Sequence, residues 1–364
     1  MTKRLMRGSH VLGEAAVRAG CRYYFGYPIT PQNEVPEYMS GRLLEVGGTF
    51  VQAESEVASI NMVMGAAMAG ARVMTTSSSP GVSLKQEGIS YLAGLELPAV
   101  IANMMRGGPG LGNIAPAQGD YFQATRGGGH GDYRCIVLAP ASCQELCDLT
   151  LRAFDLADKY RNPVMILGDG MMGQMMEPVE FPEPIDPASL PAKDWTLTGA
   201  AGRPQRTILS LLLDPKVLEA HNYKLTRKYD AITRAEQDWE TYLCDDARLV
   251  VVAFGTAARI AKGAIKRVRE MGVKVGLFRP KTLWPFPYQP LAELARDTRH
   301  LLAFEMNSGQ MVEDVRLAAA GQGEVYFYGR PGGVIPTPDE VAHQISHYYY
   351  GAGLDQAAAV AHRA

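Results

Sequence analysis

The 364-residue chain is longer than one average domain and suits two. With 47% apolar and 20% charged residues, each domain can bury a sizeable core. Lys plus Arg number 36 and Asp plus Glu 38, a balance that gives no electrostatic case for nucleic acid or an anionic membrane. No apolar run approaches the roughly 18 residues of a transmembrane helix. Residues 1–7 carry charge with no apolar stretch after them, so no signal peptide is expected and the expected location is the cytoplasm. The five cysteines, Cys21, Cys135, Cys143, Cys147 and Cys244, include no C-x-x-C pair. They read as buried structural thiols, and any iron–sulfur cluster is expected on another chain.

In chain order, residues 23–25 read as a strand and 31–44 as a helix, then 50–53 as a strand and 56–71 as a helix. Further apolar, β-branched runs at 72–76, 98–104, 134–138 and 163–167 alternate with helical stretches at 82–95, 119–126 and 143–160. Such alternation predicts a parallel sheet covered on both faces, whose ligands bind beyond the C-terminal strand ends. From Glu177 the prolines of Glu177-Pro178-Val179-Glu180-Phe181-Pro182 argue against any regular element. Residues 177–246 are read as a linker with a helical connector at 218–239. A second α/β unit follows, with strands at 249–254, 273–278, 300–305 and 324–328 and helices at 257–271, 290–296, 310–320 and 338–348. The expected fold class is therefore α/β with two parallel-sheet domains, residues 1–176 and 247–364.

Several strand-to-helix loops carry chemistry-bearing residues. In Tyr27-Pro28-Ile29-Thr30-Pro31, Pro31 suits a first helical turn and Thr30 then falls at the N-cap, either a plain cap or an oxygen-rich site for a carboxylate. Glu54-Ser55-Glu56 places two acids around a helix start with Ser55 as cap, both solvated or one turned into the cleft. Thr75-Thr76-Ser77-Ser78-Ser79-Pro80-Gly81 is an ordinary turn or a hydrogen-bonding wall. Arg106 ends a strand before the glycine-rich loop 107–112, as a surface cation or a carboxylate clamp. That loop is no dinucleotide fingerprint, because Asn113 takes the third glycine position and Pro109 intrudes. Gly168-Asp169-Gly170 lacks the Asn that a metal–diphosphate motif needs some 25–30 residues later, the next being Asn222, and reads as a strand-ending turn.

Taken in register, Tyr27-Pro28-Ile29-Thr30-Pro31, Glu54-Ser55-Glu56-Val57-Ala58, Ser79-Pro80-Gly81, Arg106-Gly107-Gly108-Pro109 and Glu305-Met306-Asn307-Ser308-Gly309-Gln310 resemble the α subunits of 2-oxoacid:ferredoxin oxidoreductases. The closer wording of residues 77–94, 107–112 and 127–133 is similar to the 2-oxoisovalerate (3-methyl-2-oxobutanoate) branch. The resemblance implies an N-terminal domain that binds the aminopyrimidine of thiamine diphosphate and a transketolase C-terminal-like domain. It implies that a β subunit supplies the diphosphate–Mg²⁺ site and a [4Fe–4S] cluster, with γ and δ subunits possible, ferredoxin as acceptor and coenzyme A as co-substrate.

On this resemblance Glu56 is the catalytic glutamate, its carboxyl on the pyrimidine nitrogen stabilising the imino tautomer that activates the thiazolium. Pro28, Ile29 and Ser79 then bind cofactor, and Thr30 and Arg106 hold the substrate's oxo-carboxylate end. The alternatives are a 2-oxoglutarate enzyme or a non-catalytic scaffolding paralogue. A complete transketolase-type enzyme is set aside for want of a metal half-site, and a nicotinamide dehydrogenase for want of a fingerprint. A branched-chain pocket would draw on Leu111, Ile114, Tyr121 and Phe122, and a dicarboxylate pocket on Lys85, Arg126 or His130 as distal clamp.

Overall fold

A computed structural model describes residues 3–354 of the chain; Met1, Thr2 and residues 355–364, the last part of the second expected domain, lie outside it. The elements in chain order are β1 (Arg4–Arg7), α1 (Gly8–Arg18), β2 (Tyr23–Gly26), α2 (Glu34–Glu45), β3 (Thr49–Gln52), α3 (Glu56–Met68), β4 (Val73–Ser77), α4 (Ser79–Gly94) and β5 (Ala99–Met105). They continue with α5 (Tyr121–Arg126), β6 (Ile136–Leu138), α6 (Cys143–Tyr160), β7 (Pro163–Asp169), α7 (Gly170–Gln174), β8 (Met176–Val179) and α8 (Pro215–Ala235). The remainder comprises β9 (Trp239–Tyr242), β10 (Leu249–Val252), α9 (Gly255–Glu270), β11 (Val275–Pro280), β12 (Thr282–Trp284), α10 (Tyr288–Thr298), β13 (His300–Glu305), α11 (Met311–Ala319), β14 (Glu324–Gly329) and α12 (Pro338–Gly351).

Seven strands form the first sheet in the order β12-β6-β7-β5-β4-β2-β3, parallel except for β12. Side chains alternate along β5. Val100 and Ala102 pack under α1, α2 and α6, while Ile101 faces α3 and α4. The second sheet runs β14-β13-β10-β11-β9, parallel except at β9, with α9 and α12 on its outer face. The expected α/β class with two parallel-rich sheets is what the chain adopts. The two units share one apolar core, in which Val137 and Ile101 belong to the same cluster as Phe254, Phe278 and Met311. Strand β12 comes from the second half of the sequence yet closes the first sheet, pairing Thr282 with Leu138 and Trp284 with Val137.

Two sequence expectations need correction. The proline-rich start of the linker does form a strand: β8 pairs antiparallel with β1, Pro178 opposite Leu5. A two-stranded ribbon is all edge, and there a proline's missing N–H can face away from the partner. The helix expected at 31–44 begins only at Glu34, with Asn33 at its N-cap position. Residues 29–35 turn first, Gln32 N–H donating to Ile29 O (3.1 Å) and Val35 N–H to Gln32 O (2.9 Å), and the Thr30–Pro31 peptide is cis. Thr30 is therefore not a helix cap. Cys21, Cys135, Cys143 and Cys147 are buried free thiols, as expected, and Cys244 is half-buried.

Candidate active site

The C-terminal ends of β2, β3, β4 and β5 lie side by side, and the loops that leave them gather the residues singled out from sequence. Ser55, in extended backbone, caps α3 by accepting from Ala58 N–H (3.1 Å). This starts the helix at Glu56 and separates the two acids, leaving Glu54 exposed while Glu56 is 6% exposed. Among the described residues no hydrogen bond reaches the Glu56 carboxyl. Helix α4 comes close enough that a Cβ on Gly81 would lie 2.7 Å from Glu56 Oε1 and 2.1 Å from Ser77 Oγ. Only glycine permits this approach. The hydroxyls of Ser77 and Ser78 are buried beside it without a partner.

Lys85 lies behind Glu56. Fully buried on α4, its ammonium donates to Ser59 Oγ, to Thr75 Oγ1 (3.0 Å) and, at 3.5 Å, to the backbone carbonyl of Glu56. Burial pushes its pKa down to about 8, against the opposing pull of Glu56.

Arg106, at the end of β5, is 7% exposed. Its guanidinium donates to the carbonyls of Thr30 (2.9 Å) and Leu111 (3.1 Å), and its Nε is buried without a partner. Thr30 and Arg106 are thus brought together, with Thr30 exposed. Pro28 and Ile29 precede them in the same loop, Pro28 exposed and Ile29 half-buried. Ser79 joins this group, accepting from Arg106 N–H (3.0 Å) and donating to Asp120 Oδ2 (2.6 Å). Asn103 Nδ2 donates to the same Asp120 oxygen (2.9 Å). Burial raises the Asp120 pKa, and the Ser79 and Asn103 hydrogen bonds oppose the rise. Sequence reasoning missed Asp120; its signal was an acid directly before the helix at 121–126.

These loops border a cleft of about 400 Å³ between the two sheets, lined by Ser79, Pro80, Gly108, Asp120, Met306 and Asn307 among others, with no basic residue in its wall. A larger cavity of about 500 Å³, between α6 and α9, is lined by Arg279, which bridges Glu145 and Glu240, and by Arg259, Lys262 and Lys266. The three cations considered for a distal clamp are engaged or distant. Lys85 is buried, Arg126 pairs with buried Asp314 (2.8 Å), and His130 lines another cavity with Tyr91 and His221. Of the apolar candidates, Tyr121 is buried with its hydroxyl on Asp314 (2.7 Å) and Phe122 is half-buried, whereas Leu111 and Ile114 are exposed. Asp169 accepts from Met171 N–H (3.0 Å) and Met172 N–H (3.1 Å), capping α7 at the end of β7. Glu305, from the most C-terminal motif, is fully buried and accepts from Met311 N–H (2.8 Å) and Val312 N–H (2.9 Å), so it caps α11.

Residues 14–239 match the family described as pyruvate flavodoxin/ferredoxin oxidoreductase, thiamine diphosphate-binding, and residues 247–341 match core domain II of pyruvate:ferredoxin oxidoreductase. The chain is an α-type subunit of the 2-oxoacid:ferredoxin oxidoreductase family. The ketoisovalerate oxidoreductase subunit VorB of Methanothermobacter thermautotrophicus is 51% identical to it, covering 95% of this chain and 97% of that one. The 2-oxoglutarate synthase subunit KorA of the same organism is 37% identical over 93% and 97% of the two chains. A solved 2-oxoglutarate:ferredoxin oxidoreductase from Magnetococcus marinus, with 2-oxoglutarate, coenzyme A and succinyl-CoA bound, superposes with a TM-score of 0.84 at 26% identity. That match covers 95% of this subunit and 65% of the solved chain. Members of this family are oxidoreductase subunits, and its N-terminal domain is of the thiamine diphosphate-binding type. The residues fit such a cofactor: a buried carboxyl without a hydrogen bond, two unpaired buried hydroxyls and a glycine-permitted close approach meet at one strand end.

Proposed function

We propose that this subunit forms the pyrimidine side of a thiamine diphosphate site in a complex that oxidatively decarboxylates 3-methyl-2-oxobutanoate, with coenzyme A as acyl acceptor and ferredoxin as electron acceptor. A β subunit then holds the diphosphate, Mg²⁺ and a [4Fe–4S] cluster, with γ and δ subunits completing the complex where present, in the cytoplasm. Residues 1–176 act as the pyrimidine-binding domain and 247–364 as the transketolase C-terminal-like domain, joined by 177–246. The observation that carries the reading is Glu56, a residue only 6% exposed whose carboxyl has no hydrogen-bond partner among the described residues. Its oxygens are not sealed off, so the carboxyl is open to a partner from outside the chain.

The chemistry that thiamine diphosphate supplies when bound is a carbon nucleophile for a 2-oxo carbonyl and a sink for the electrons that decarboxylation leaves. Glu56 shares a proton with the pyrimidine ring nitrogen and so sets its tautomer. Pro28, Ile29 and Ser79 shape the wall against the ring. Arg106, with a free Nε, and Thr30, with an exposed hydroxyl, hold the oxo-carboxylate end, where charge pairing in a dry cleft is strongest.

The branched-chain substrate is supported by the 51% identity to a ketoisovalerate subunit. A dicarboxylate would need a second cation, and of those considered Lys85 is buried, Arg126 is paired with Asp314 and His130 lines another cavity. The reconstituted complex is expected to show a higher kcat/KM for 2-oxoisovalerate than for 2-oxoglutarate, with related aliphatic acids reacting about 10-fold or more slowly. Glu56→Gln in the same complex should lose about 10²–10⁴ in rate, and Glu54→Gln should be much milder. Preference for the dicarboxylate would move the subunit to the 2-oxoglutarate branch, and an active Glu56→Gln would remove the assignment of Glu56.

A further inference from the structure

Helix α4 buries Val82, Ile89 and Leu92 on the face turned to the core, and Lys85 stands in that same stripe at helical spacing. A lysine there is expensive, since an ammonium taken out of water must be compensated. Its three hydrogen-bond partners are neutral oxygens: two hydroxyls, from Ser59 on α3 and Thr75 on β4, and the Glu56 carbonyl. Among the described residues, the ion whose charge acts on it is Glu56.

Other charged groups are placed elsewhere. Strands β4 and β5 contain no ionisable residue, and β2 contributes Tyr24, whose hydroxyl is 2.6 Å from Thr76 Oγ1. Asp169 of β7 caps α7, and Glu87 of α4 is exposed and receives the Tyr91 hydroxyl (2.9 Å).

We propose that Lys85 is a positioning residue for Glu56: its buried ammonium ties the first turn of α3 to β4 and keeps a positive charge behind the carboxyl. This rests on the reading of Glu56 given above. With the first turn of α3 fixed in this way, the Glu56 carboxyl is held in place to share a proton with a bound ring nitrogen. Lys85 touches neither substrate nor cofactor and acts through Glu56 alone.

The test uses the full chain with its β subunit and thiamine diphosphate, comparing wild type, Lys85→Gln, Lys85→Met and Glu56→Gln. Lys85→Gln keeps hydrogen-bonding capacity and removes the charge. Both Lys85 variants are expected to slow deuterium exchange at the thiazolium C2 of the bound cofactor by roughly 10-fold, the equivalent of one unit in proton affinity. They should lower kcat similarly and leave KM for the 2-oxoacid unchanged, a split that loss of packing alone would not produce. Wild-type exchange and kcat in Lys85→Gln, with Glu56→Gln inactive, would overturn the role of Lys85 alone; an active Glu56→Gln would overturn the parent reading.

A second readout needs no cofactor. Lys85 releases its proton near pH 8 when folded and near the ordinary 10.5 when unfolded, so between those values its own contribution to the urea midpoint rises with pH. Lys85→Met should remove that contribution, and an identical slope in the two proteins would overturn the proposal. Should neither variant fold, wild type carries the test: kcat should fall above about pH 8 with KM constant, and a kcat still level a pH unit higher would overturn it.

Discussion

Arg106 shows how a single residue is both held and left available. Two of its nitrogens are engaged by the carbonyls of Thr30 and Leu111, and the third is buried with nothing to donate to. Arg106→Ala should raise KM for the 2-oxoacid by roughly 10- to 100-fold, since hydrogen bonds to charged groups contribute about 1.5–3 kcal/mol. Thr30→Ala leaves the carbonyl that Arg106 grips and removes the hydroxyl with its neighbouring methyl, so its effect should be a few-fold. Steady-state kinetics on the complex decide this, and unchanged KM in both variants would confine them to holding the loop. At this scale the sequence was readable in Ser55 as a helix cap, while the choice of Glu56 over Glu54 rested on the family resemblance. The sequence was least readable for Lys85, considered as a cation for a dicarboxylate's distal end, although its spacing with Val82 and Ile89 already placed it in a buried stripe. The capping role expected of Thr30 failed because proline after threonine fits a turn as well as a helix start, and only the hydrogen bonds of residues 29–35 separate the two.

Elements with a long apolar period were legible. The strands at 300–305 and 163–167 and the helix at 143–160 stand within a few residues of where pattern places them. Four short ones were not: β1, β8, β9 and β12 have three or four residues each and lie outside the strand–helix alternation, β8 and β9 in the stretch read as a linker. Helix α1 is packed on nearly every side, between the first sheet's helical layer and α6, and so lacks the polar face that marks a surface helix. Strand β9 is held to its sheet partly by charge. Glu240 accepts from Lys262 of α9 (2.7 Å) and from Arg279 of β11 (2.6 Å). Burial alone would raise its pKa, but these two cations pull it from 4.5 down to about 2. Its folded value is the lower one, so the stabilisation is present above pH 4.5 and drains away as pH falls toward 2. Urea midpoints taken down this range should fall less steeply in Glu240→Gln than in wild type, and parallel curves would show the bridge contributing nothing.

At the scale of the molecule the two units read from sequence are structurally one. Gln118, in the loop before α5, donates to Phe254 O (3.0 Å) and accepts from Met306 N–H (3.1 Å), stitching the first sheet's loops to the second. Nearby, Asp314 gathers Tyr121 and Arg126 from α5 and Tyr288 from α10. Amide protons of β5 and β10, one strand at the heart of each sheet, are therefore expected to open with the same free energy in native-state hydrogen exchange. A β10 that opens at markedly lower denaturant would mean that the second unit unfolds alone. Nothing in the sequence announced this fusion, because β12 is three residues long and sits between two elements of the other sheet. It also sets an order on how the protein can be made. At about 5–20 residues per second, a ribosome that has finished β7 at Asp169 needs on the order of ten seconds to reach Trp284. For all of that time β6, paired on one side with β7, waits as an open, apolar edge on an otherwise finished sheet. The nascent chain is most exposed to mispairing in that interval, and it is there, rather than after release, that a chaperone would find a substrate.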